Sequence, residues 1–281
     1  MLALGVTGDV GAGKSTLTRL WGEMGASVID ADRIVRELWQ RRSVVDGAVS
    51  LWGDAVADGC GKINPAAVAR IAFSNKAEYR RLNGLLHPLV RIEMNRLASC
   101  LEGWVTAEIP LLFETGVPHW IDFTVYVTSG DEARARRNAS RGWPAGEIER
   151  RESFLLPREE KIKRADLVIY NDGGLDALAA KAEETASLFR KLADLMQCSA
   201  DFHCREEAQF HMDRLARERL GTAFFLTGGG GAGGEAIYRL TFITRGAFFN
   251  GLDLPDGGQT AVPIRRMAYG RRVEISGELK P

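Results

Sequence analysis

The sequence predicts an α/β protein built on a mostly parallel sheet with helices on both faces. Short apolar runs alternate with segments of helical periodicity through the first two-thirds of the 281 residues, which is typical of parallel strands joined by right-handed crossovers. In addition, a glycine-rich loop of the phosphate-binding type follows the first apolar run and precedes the first helical segment. A strand, this loop and a helix in that order are the context that the motif requires.

The predicted strands are short and apolar, as expected of strands that are buried on both faces. They cover residues 2–6, 26–29, 104–109, 122–127 and 166–170. Apolar residues at helical spacing predict helices over residues 14–24, 33–39, 65–73, 78–101, 131–140 and 175–195. Ligands bind at the carboxyl ends of the strands in such a sheet, so we expect one cleft to gather the polar residues that follow these ends.

The phosphate-binding loop spans residues 8–15 and fits the pattern G-x-x-x-x-G-K-[ST] at every constrained position. Its glycines let backbone N–H groups surround phosphates, and the following helix adds its positive dipole end. Lys14 is expected to reach the β- and γ-phosphates of ATP, and the Ser15 hydroxyl to hold Mg²⁺. The predicted nucleotide-binding residues of this segment are Gly8, Gly11, Ala12, Gly13, Lys14, Ser15 and Thr16.

Composition and charge argue against several classes of protein. Lysine plus arginine and aspartate plus glutamate are equal at 37 each, so we expect neither nucleic acid nor an anionic membrane as a partner. Four cysteines are too few for a disulfide framework in a chain of this length. No apolar run approaches membrane-spanning length, and no leader pattern precedes the first strand. A cytoplasmic protein is expected.

Carboxylates follow two of the predicted strands. Asp30 and Asp32 come after the second strand, where one could accept the proton of an attacking hydroxyl while the other orients water around Mg²⁺ or caps a helix. Both could equally be helix-capping residues. Glu108 ends the third strand and could hold a Mg²⁺-bound water, although many strands simply end in an acidic residue.

A group of arginines lies in one short stretch, made up of Arg134, Arg136, Arg137 and Arg141. Arg137 and Arg141 are four residues apart and share a helix face. Such a pair, on a segment that closes over ATP, can neutralise the charge of the transferring phosphoryl group. The alternative is a solvated basic helix face.

Histidines give weaker signals. His87 precedes Pro88 on an apolar stretch, where a histidine is more often a core residue than a catalyst. A second group contains Cys198, His203, Cys204 and His211. These four residues could bind a metal ion, but their spacing matches no standard zinc pattern.

The chain changes character near residue 198. We predict a helix over residues 205–220 and strands over 222–227, 237–244 and 264–275, which would form a small antiparallel or α+β unit. The glycine tract at 228–234 lacks a following Lys-Ser and is better explained as a hairpin loop than as a second phosphate site. We therefore divide the chain into domains at 1–198 and 199–281.

Taken in order, the motifs resemble those of the dephospho-CoA kinase family over residues 4–188, and residues 199–281 lie outside the resemblance. The most specific parts are Asp-Ala-Asp, His-Pro and Pro-Leu-Leu-Phe-Glu in this order. The segments that carry it are residues 5–16, 28–32, 82–88, 109–114, Arg137 with Arg141, and 165–171.

The resemblance implies a five-stranded parallel core, a helical acceptor-binding subdomain and a lid. It implies transfer of the γ-phosphoryl group of ATP, with Mg²⁺, to the ribose 3′-hydroxyl of dephospho-CoA. Asp32 matches the family's proposed general base, and Lys14, Arg137 and Arg141 complete the catalytic set, the two arginines as part of the lid. The remaining implied contacts are His87, Leu112 and Glu114, with Asp32, at the acceptor and Asn171 beside the adenine.

Three residues depart from the family pattern. Asp9 stands where glycine is common, which places a carboxylate near phosphates and could slow binding unless it faces away. Arg134 and Leu155 each stand where glutamine is common. The alternatives to this function are a kinase of the same build that acts on another nucleoside or small hydroxyl acceptor, and a nucleotide-dependent switch. The tail could be a regulatory module or a packing element, and the oligomeric state is not predicted.

Overall fold

A computed structural model describes residues 2–58, 61–139, 146–193, 195–219, 221–230, 236–245, 260–263 and 273–275. These residues form two compact units. The larger contains Ala3–Ala186 and Gly270–Pro281, and the smaller contains Met1–Leu2 and Ser187–Tyr269.

The strands are β1 Leu2–Gly8, β2 Ser27–Asp30, β3 Trp104–Glu108, β4 Phe123–Thr128, β5 Leu167–Tyr170, β6 Leu195–Phe202, β7 Thr222–Gly230, β8 Ala236–Arg245, β9 Thr260–Pro263 and β10 Val273–Ile275. The helices are α1 Lys14–Glu23, α2 Ala31–Leu38, α3 Arg42–Trp52, α4 Pro65–Ala72, α5 Lys76–Ser99, α6 Asp131–Ala139, α7 Glu147–Glu152, α8 Arg158–Arg164, α9 Leu175–Ala193 and α10 Arg205–Arg217.

The larger unit is organised around a sheet with the strand order β10-β5-β4-β1-β3-β2 among the described residues. The pairs β1–β4, β4–β5 and β2–β3 are parallel. Every residue of β1 is buried, as expected of a central strand covered on both faces. The predicted α/β class and its five-stranded parallel core are confirmed, and β10 adds a sixth strand, parallel to β5.

The predicted strands and helices of this unit are all present, but three helices were missed. Helix α7 is a run of charged residues around one isoleucine, and α8 is almost as polar, so neither shows the apolar spacing that predicts a helix. Helix α3 follows Arg41, which makes no side-chain capping bond, so the sequence carries no start signal there.

The smaller unit is a four-stranded antiparallel sheet, in the order β7-β8-β6-β9, with α10 packed on it. A helix packed on an antiparallel sheet agrees with the predicted α+β unit. The strand predicted over 264–275 does not join this sheet: residues 264–272 lie outside the described part of the chain, and β10 at 273–275 pairs with β5 of the larger sheet. The helix predicted over 175–195 ends at Ala193, and Leu195–Phe202 form β6. Every second residue of its C-terminal half, Cys198, Ala200 and Phe202, is buried in the core of this unit. The predicted boundary at residue 198 falls inside this strand. The glycine tract extends β7 to Gly230, and residues 231–234 lie outside the described part of the chain.

Helix α1 is fixed beneath the sheet by Trp21, which is fully buried. Its indole N–H donates to the Ala182 carbonyl and to the Thr185 hydroxyl of α9, both at 3.1 Å. A buried indole needs such a partner, so α1 and the phosphate-binding loop that precedes it are held in one position. Among the described helices, none is long and apolar enough to cross a membrane.

Candidate active site

The phosphate-binding loop joins β1 to α1, and its glycines are required by its backbone. Gly8, Gly11 and Gly13 have φ values of 152°, 76° and 99°, a range that other residues rarely adopt. A Cβ atom at Gly8 would lie 2.0 Å from the Val127 carbonyl oxygen, and one at Gly13 would lie 2.5 Å from Asn171 Nδ2. The loop is therefore closely packed against Val127 and Asn171, and there is no room for a side chain at Gly8 or Gly13.

Lys14 is held by the loop itself. Its ammonium group donates to the carbonyl oxygens of Gly8 and Asp9, at 3.1 Å and 2.9 Å. Burial lowers the pKa of Lys14, whereas the negative charges of Glu108, Asp9 and Asp32 act in the opposite direction. The side chain thus lies at the N-terminus of α1 with two of its three donors already engaged.

Oxygen atoms gather beside the loop at the end of β3. The Ser15 hydroxyl donates to Glu108 Oε1 at 2.8 Å, and the Thr18 hydroxyl lies 3.3 Å from Glu108 Oε2. Burial raises the pKa of Glu108, and its hydrogen bond with Ser15 and the charge of Lys14 oppose that shift. These oxygens fit Mg²⁺, which binds through hydroxyls, carboxylates and water. Ser15, Glu108 and Asp30 also line an open cavity of about 460 Å³.

The structure separates the two carboxylates after β2. Asp30 is the N-cap of α2: its Oδ1 accepts the backbone N–H of Arg33 at 3.0 Å, and its Oδ2 lies 3.6 Å from Arg36. Asp32 lies in the first turn of α2. The surrounding protein, and then the charge of Asp30, raise the pKa of Asp32, while Lys14 lowers it. Asp30 therefore serves as a helix cap, and Asp32 interacts electrostatically with Lys14.

Helix α5 presents a polar stripe with a spacing of four residues, Tyr79, Asn83 and His87. Asn83 hydrogen-bonds Tyr79, whose pKa is raised by burial and also by the charge of Glu114. Burial lowers the pKa of His87, and Glu114 raises it. Both side chains therefore lie within electrostatic range of Glu114. His87, weak as a sequence signal, is half-buried and interacts electrostatically with Glu114.

Glu114 is held in place from the side of α8. Its Oε1 accepts the backbone N–H of Leu156 at 3.1 Å and lies 3.6 Å from the ammonium group of Lys161, which is buried. Its Oε2 is buried and has no hydrogen-bond partner among the described residues. Leu112 is fully buried and packs against the position where Gly5 lacks a side chain. Leu112 is thus a core residue, whereas Glu114 has a side-chain oxygen that could still accept a hydrogen bond.

Asn171 and Arg137 connect the phosphate-binding loop, the loop after β5 and α6. The Asn171 amide donates to the Ala12 carbonyl at 2.8 Å, so this residue braces the phosphate-binding loop. Arg137 donates to the carbonyl oxygens of Asn171 and Gly173, at 2.8 Å and 3.0 Å, and to the Ser129 hydroxyl at 3.0 Å. Its guanidinium group thus holds this loop, whereas Arg141 lies outside the described residues.

The C-terminal histidines and cysteines do not form the suggested metal site in the described part of the chain. Cys198 is buried in the core of the smaller unit, and Cys204 is exposed, with its thiol 2.8 Å from Glu206. No cluster of three or more potential ligands is found among the described residues.

Sequence reasoning missed several residues of the site. Thr18 has its hydroxyl one helical turn after Ser15, and that spacing was the available signal. Tyr79 and Asn83 share a helix face with His87 and could have been found by the same spacing. Lys161 stands in a segment, residues 157–161, that resembles the family pattern, but its contact with Glu114 depends on the packing of α8 and could not be predicted from the sequence.

Comparisons with known proteins identify the family. The dephospho-CoA kinase family profile matches residues 2–177. A dephospho-CoA kinase from Chlorobaculum tepidum is 36% identical over 192 residues, which is 65% of this chain and 92% of that protein. One from Leptospira interrogans is 38% identical over 197 residues, which is 69% of this chain and 94% of that protein.

A solved structure has a similar fold. The crystal structure of TT1252 from Thermus thermophilus matches with a TM-score of 0.57 and 34% identity, and covers 66% of this chain and 96% of that one. The profile match spans the phosphate-binding loop, the Asp30–Asp32 segment, the α5 stripe and Asn171. The resemblance found in the sequence is confirmed, and the chain belongs to the dephospho-CoA kinase family.

Proposed function

We propose that this protein transfers the γ-phosphoryl group of ATP to the ribose 3′-hydroxyl of dephospho-CoA, which yields coenzyme A and ADP. The main support for the proposal is that three features lie near one another at the carboxyl ends of the strands, in a chain of this family. These are a complete phosphate-binding loop, the Ser15–Glu108 pair beside it, and Asp32 within electrostatic range of Lys14.

The loop and Lys14 would bind the phosphates. Phosphoryl transfer requires positioning and neutralisation of charge more than covalent chemistry. The N-terminus of α1 supplies inward N–H groups and a positive dipole end, and Lys14 is fixed by two loop carbonyls. Little side-chain freedom is then lost when a phosphate oxygen takes its remaining donor.

Asp32 would act as the general base. In this role its carboxylate accepts the proton of the attacking 3′-hydroxyl, a step that typically contributes about 10²- to 10⁴-fold to the rate. The raised pKa of Asp32 makes its ionised carboxylate a stronger base than that of an ordinary aspartate. Asp30 is engaged as a helix cap, which supports assigning the role to Asp32.

Ser15 and Glu108 would hold Mg²⁺, Ser15 through its hydroxyl and Glu108 through a bound water. When bound, the ion supplies charge that offsets the negative charge on the transferring phosphoryl group. The acceptor would contact Tyr79, Asn83 and His87 on α5, together with Glu114.

We also propose a cytoplasmic location, since Cys100, Cys198 and Cys204 are all free thiols, as is usual in a reducing compartment.

The test is ADP release from Mg-ATP with and without dephospho-CoA, with the product identified by mass. Release that depends on dephospho-CoA, together with a product heavier by one phosphoryl group, is the expected result. ATP binding without such turnover would exclude this acceptor and favour another hydroxyl substrate or a switch. Where turnover is found, Asp32→Asn tests the mechanism: a kinase that uses this base should lose turnover severely and keep ATP binding.

A further inference from the structure

The Asp9 carboxylate does not face the phosphate cradle but is turned into the protein. Asp9 is 2% exposed, and its two oxygens accept hydrogen bonds from the hydroxyls of Tyr126 and Thr128 on β4, the latter at 2.6 Å. The guanidinium Nε of Arg158, on α8, lies 3.1 Å from Asp9 Oδ2. A carboxylate in an anion-binding loop is thus neutralised by a cation from a distant helix.

The neighbouring peptide of the loop is held by two more charged side chains. The backbone N–H of Val10 donates to Glu152 Oε1, on α7, at 3.1 Å. Arg134, on α6, forms an ion pair with the same Glu152 oxygen, and its NH1 group lies 3.4 Å from the Val10 carbonyl. Arg134 is 5% exposed, so this pair lies in a medium where charge interactions are stronger than in water.

Asp131 joins the two halves of this arrangement. Its Oδ1 lies 2.8 Å from Arg134 and 3.0 Å from Arg158. The chain of contacts therefore runs from Asp9 through Arg158, Asp131 and Arg134 to Glu152, and returns to the loop at Val10. Two of its members, Asp9 and Arg134, are departures from the family pattern, and the structure places both in the same network.

We propose that Asp9, Arg158, Arg134 and Glu152 are positioning residues that hold residues 8–11 in the shape that binds the phosphates of ATP. The proposal rests on the proposed function. The contacts of the four are with the loop backbone, with β4 and with one another, and we assign none of them to the reacting atoms. They fix the direction of the Asp9 and Val10 peptides, and hence of the N–H groups that follow in the loop.

A purely electrostatic role for Asp9 predicts the opposite of a positioning role. Asp9→Asn keeps the size of the side chain and removes a negative charge from an anion-binding loop, so long-range electrostatics alone would tighten ATP binding. The same variant loses the ion pair with Arg158, and an amide NH2 replaces one of the two oxygens that accept from Tyr126 and Thr128, which loosens the loop and weakens binding. A charge-assisted hydrogen bond corresponds to roughly a tenfold change in an equilibrium constant, so we expect the ATP dissociation constant to rise about tenfold.

The experiment measures Mg-ATP dissociation constants by calorimetry, without acceptor, for the full chain and its Asp9→Asn, Arg158→Gln and double variants. If the pair acts as one unit, the double variant binds no more weakly than either single variant. Arg164→Gln is the matched control, because Arg164 also lies on α8 and pairs with Glu160 at 2.7 Å away from the loop. We expect its dissociation constant to stay within twofold of the wild type.

A second pair of variants tests the contact with Val10 directly. Glu152→Gln keeps an oxygen that can accept the Val10 N–H, and Glu152→Ala removes it, so Glu152→Ala should weaken ATP binding more. Thermal unfolding without nucleotide is recorded for every variant, because a merely structural role would lower the unfolding temperature and leave the dissociation constant unchanged.

The outcomes separate this proposal from the proposed function. Unchanged or tighter ATP binding in Asp9→Asn, or strictly additive effects in the double variant, would overturn the positioning role. Failure of the wild-type protein to bind Mg-ATP would instead overturn the proposed function. A wild type that binds ATP but does not phosphorylate dephospho-CoA leaves the positioning role standing with a different acceptor.

Discussion

Replacing Asp32 with asparagine removes the proposed base and keeps the shape of the side chain. Asp32 lies in the first turn of α2 and interacts electrostatically with Lys14, whereas the loop is hydrogen-bonded by other side chains such as Glu152 and Asn171. Asparagine cannot accept a proton at neutral pH. We therefore expect kcat to fall while the ATP dissociation constant changes little.

The size of the loss follows from the role. General-base catalysis contributes about 10²- to 10⁴-fold, which corresponds to roughly 3–5 kcal/mol in the activation barrier. The matched control is Asp30→Asn. Asp30 caps α2 through the Arg33 N–H, and asparagine caps helices about as well as aspartate, so this variant should remain folded and keep kcat within a few-fold of the wild type.

We also expect the pH dependence of kcat to shift in the control variant Asp30→Asn. The charge of Asp30 raises the pKa of Asp32, and the base works only when ionised. Activity should therefore fall as the pH drops through the raised pKa of Asp32. In Asp30→Asn that cause is removed, so the acidic limb of kcat should move to lower pH.

The assay is steady-state ADP release over roughly pH 4–9, a range that runs from the ordinary pKa of aspartate to above neutrality. ATP binding is measured separately. A kcat for Asp32→Asn within tenfold of the wild type would refute the assignment of Asp32 as base. So would an Asp30→Asn variant that loses as much activity as Asp32→Asn, since the cap would then be the catalytic carboxylate.

Three further predictions concern the metal, the loop and the acceptor. Glu108→Gln keeps a hydrogen-bond partner for Ser15 but loses the charge, so the Mg²⁺ concentration for half-maximal activity should rise about tenfold; an unchanged value would remove Glu108 from the metal site. Gly13→Ala places a Cβ atom 2.5 Å from Asn171 Nδ2 at a φ of 99°, which should cost about 2 kcal/mol or more and lower the unfolding temperature by roughly 4–8 °C; a scan that overlays the wild type would contradict it. His87→Gln should raise the KM for dephospho-CoA and leave ATP binding unchanged, whereas equal changes in both would indicate a packing role.

Sequence patterns predicted the parts of the fold that depend on local periodicity. The core strands were found because burial on both faces leaves continuous apolar runs, as in β1. Helices α7 and α8 were missed because tertiary contacts, not apolar spacing, hold them in place. The pairing of β10 with β5 joins residues that are distant in sequence, and a three-residue strand has no pattern that names its neighbour.

The candidate site shows the same division. The loop motif and the strand ends predicted that Ser15 and Glu108 would lie at one edge of the sheet, and they are in contact. Sequence alone left Asp30 and Asp32 undecided, because a helix cap is recognised only once the Arg33 N–H is placed. The direction of the Asp9 side chain depends on Arg158, which gave no sequence signal.

The grip of the loop carbonyls on Lys14 has a consequence for repeated turnover. An ammonium group that is already anchored to Gly8 and Asp9 needs no search through side-chain rotamers when a nucleotide arrives, nor when one departs. Because these anchors are backbone carbonyls of the loop itself, they do not depend on the rotamer of any other side chain. We therefore expect Lys14 to keep one rotamer between the release of ADP and the arrival of the next ATP.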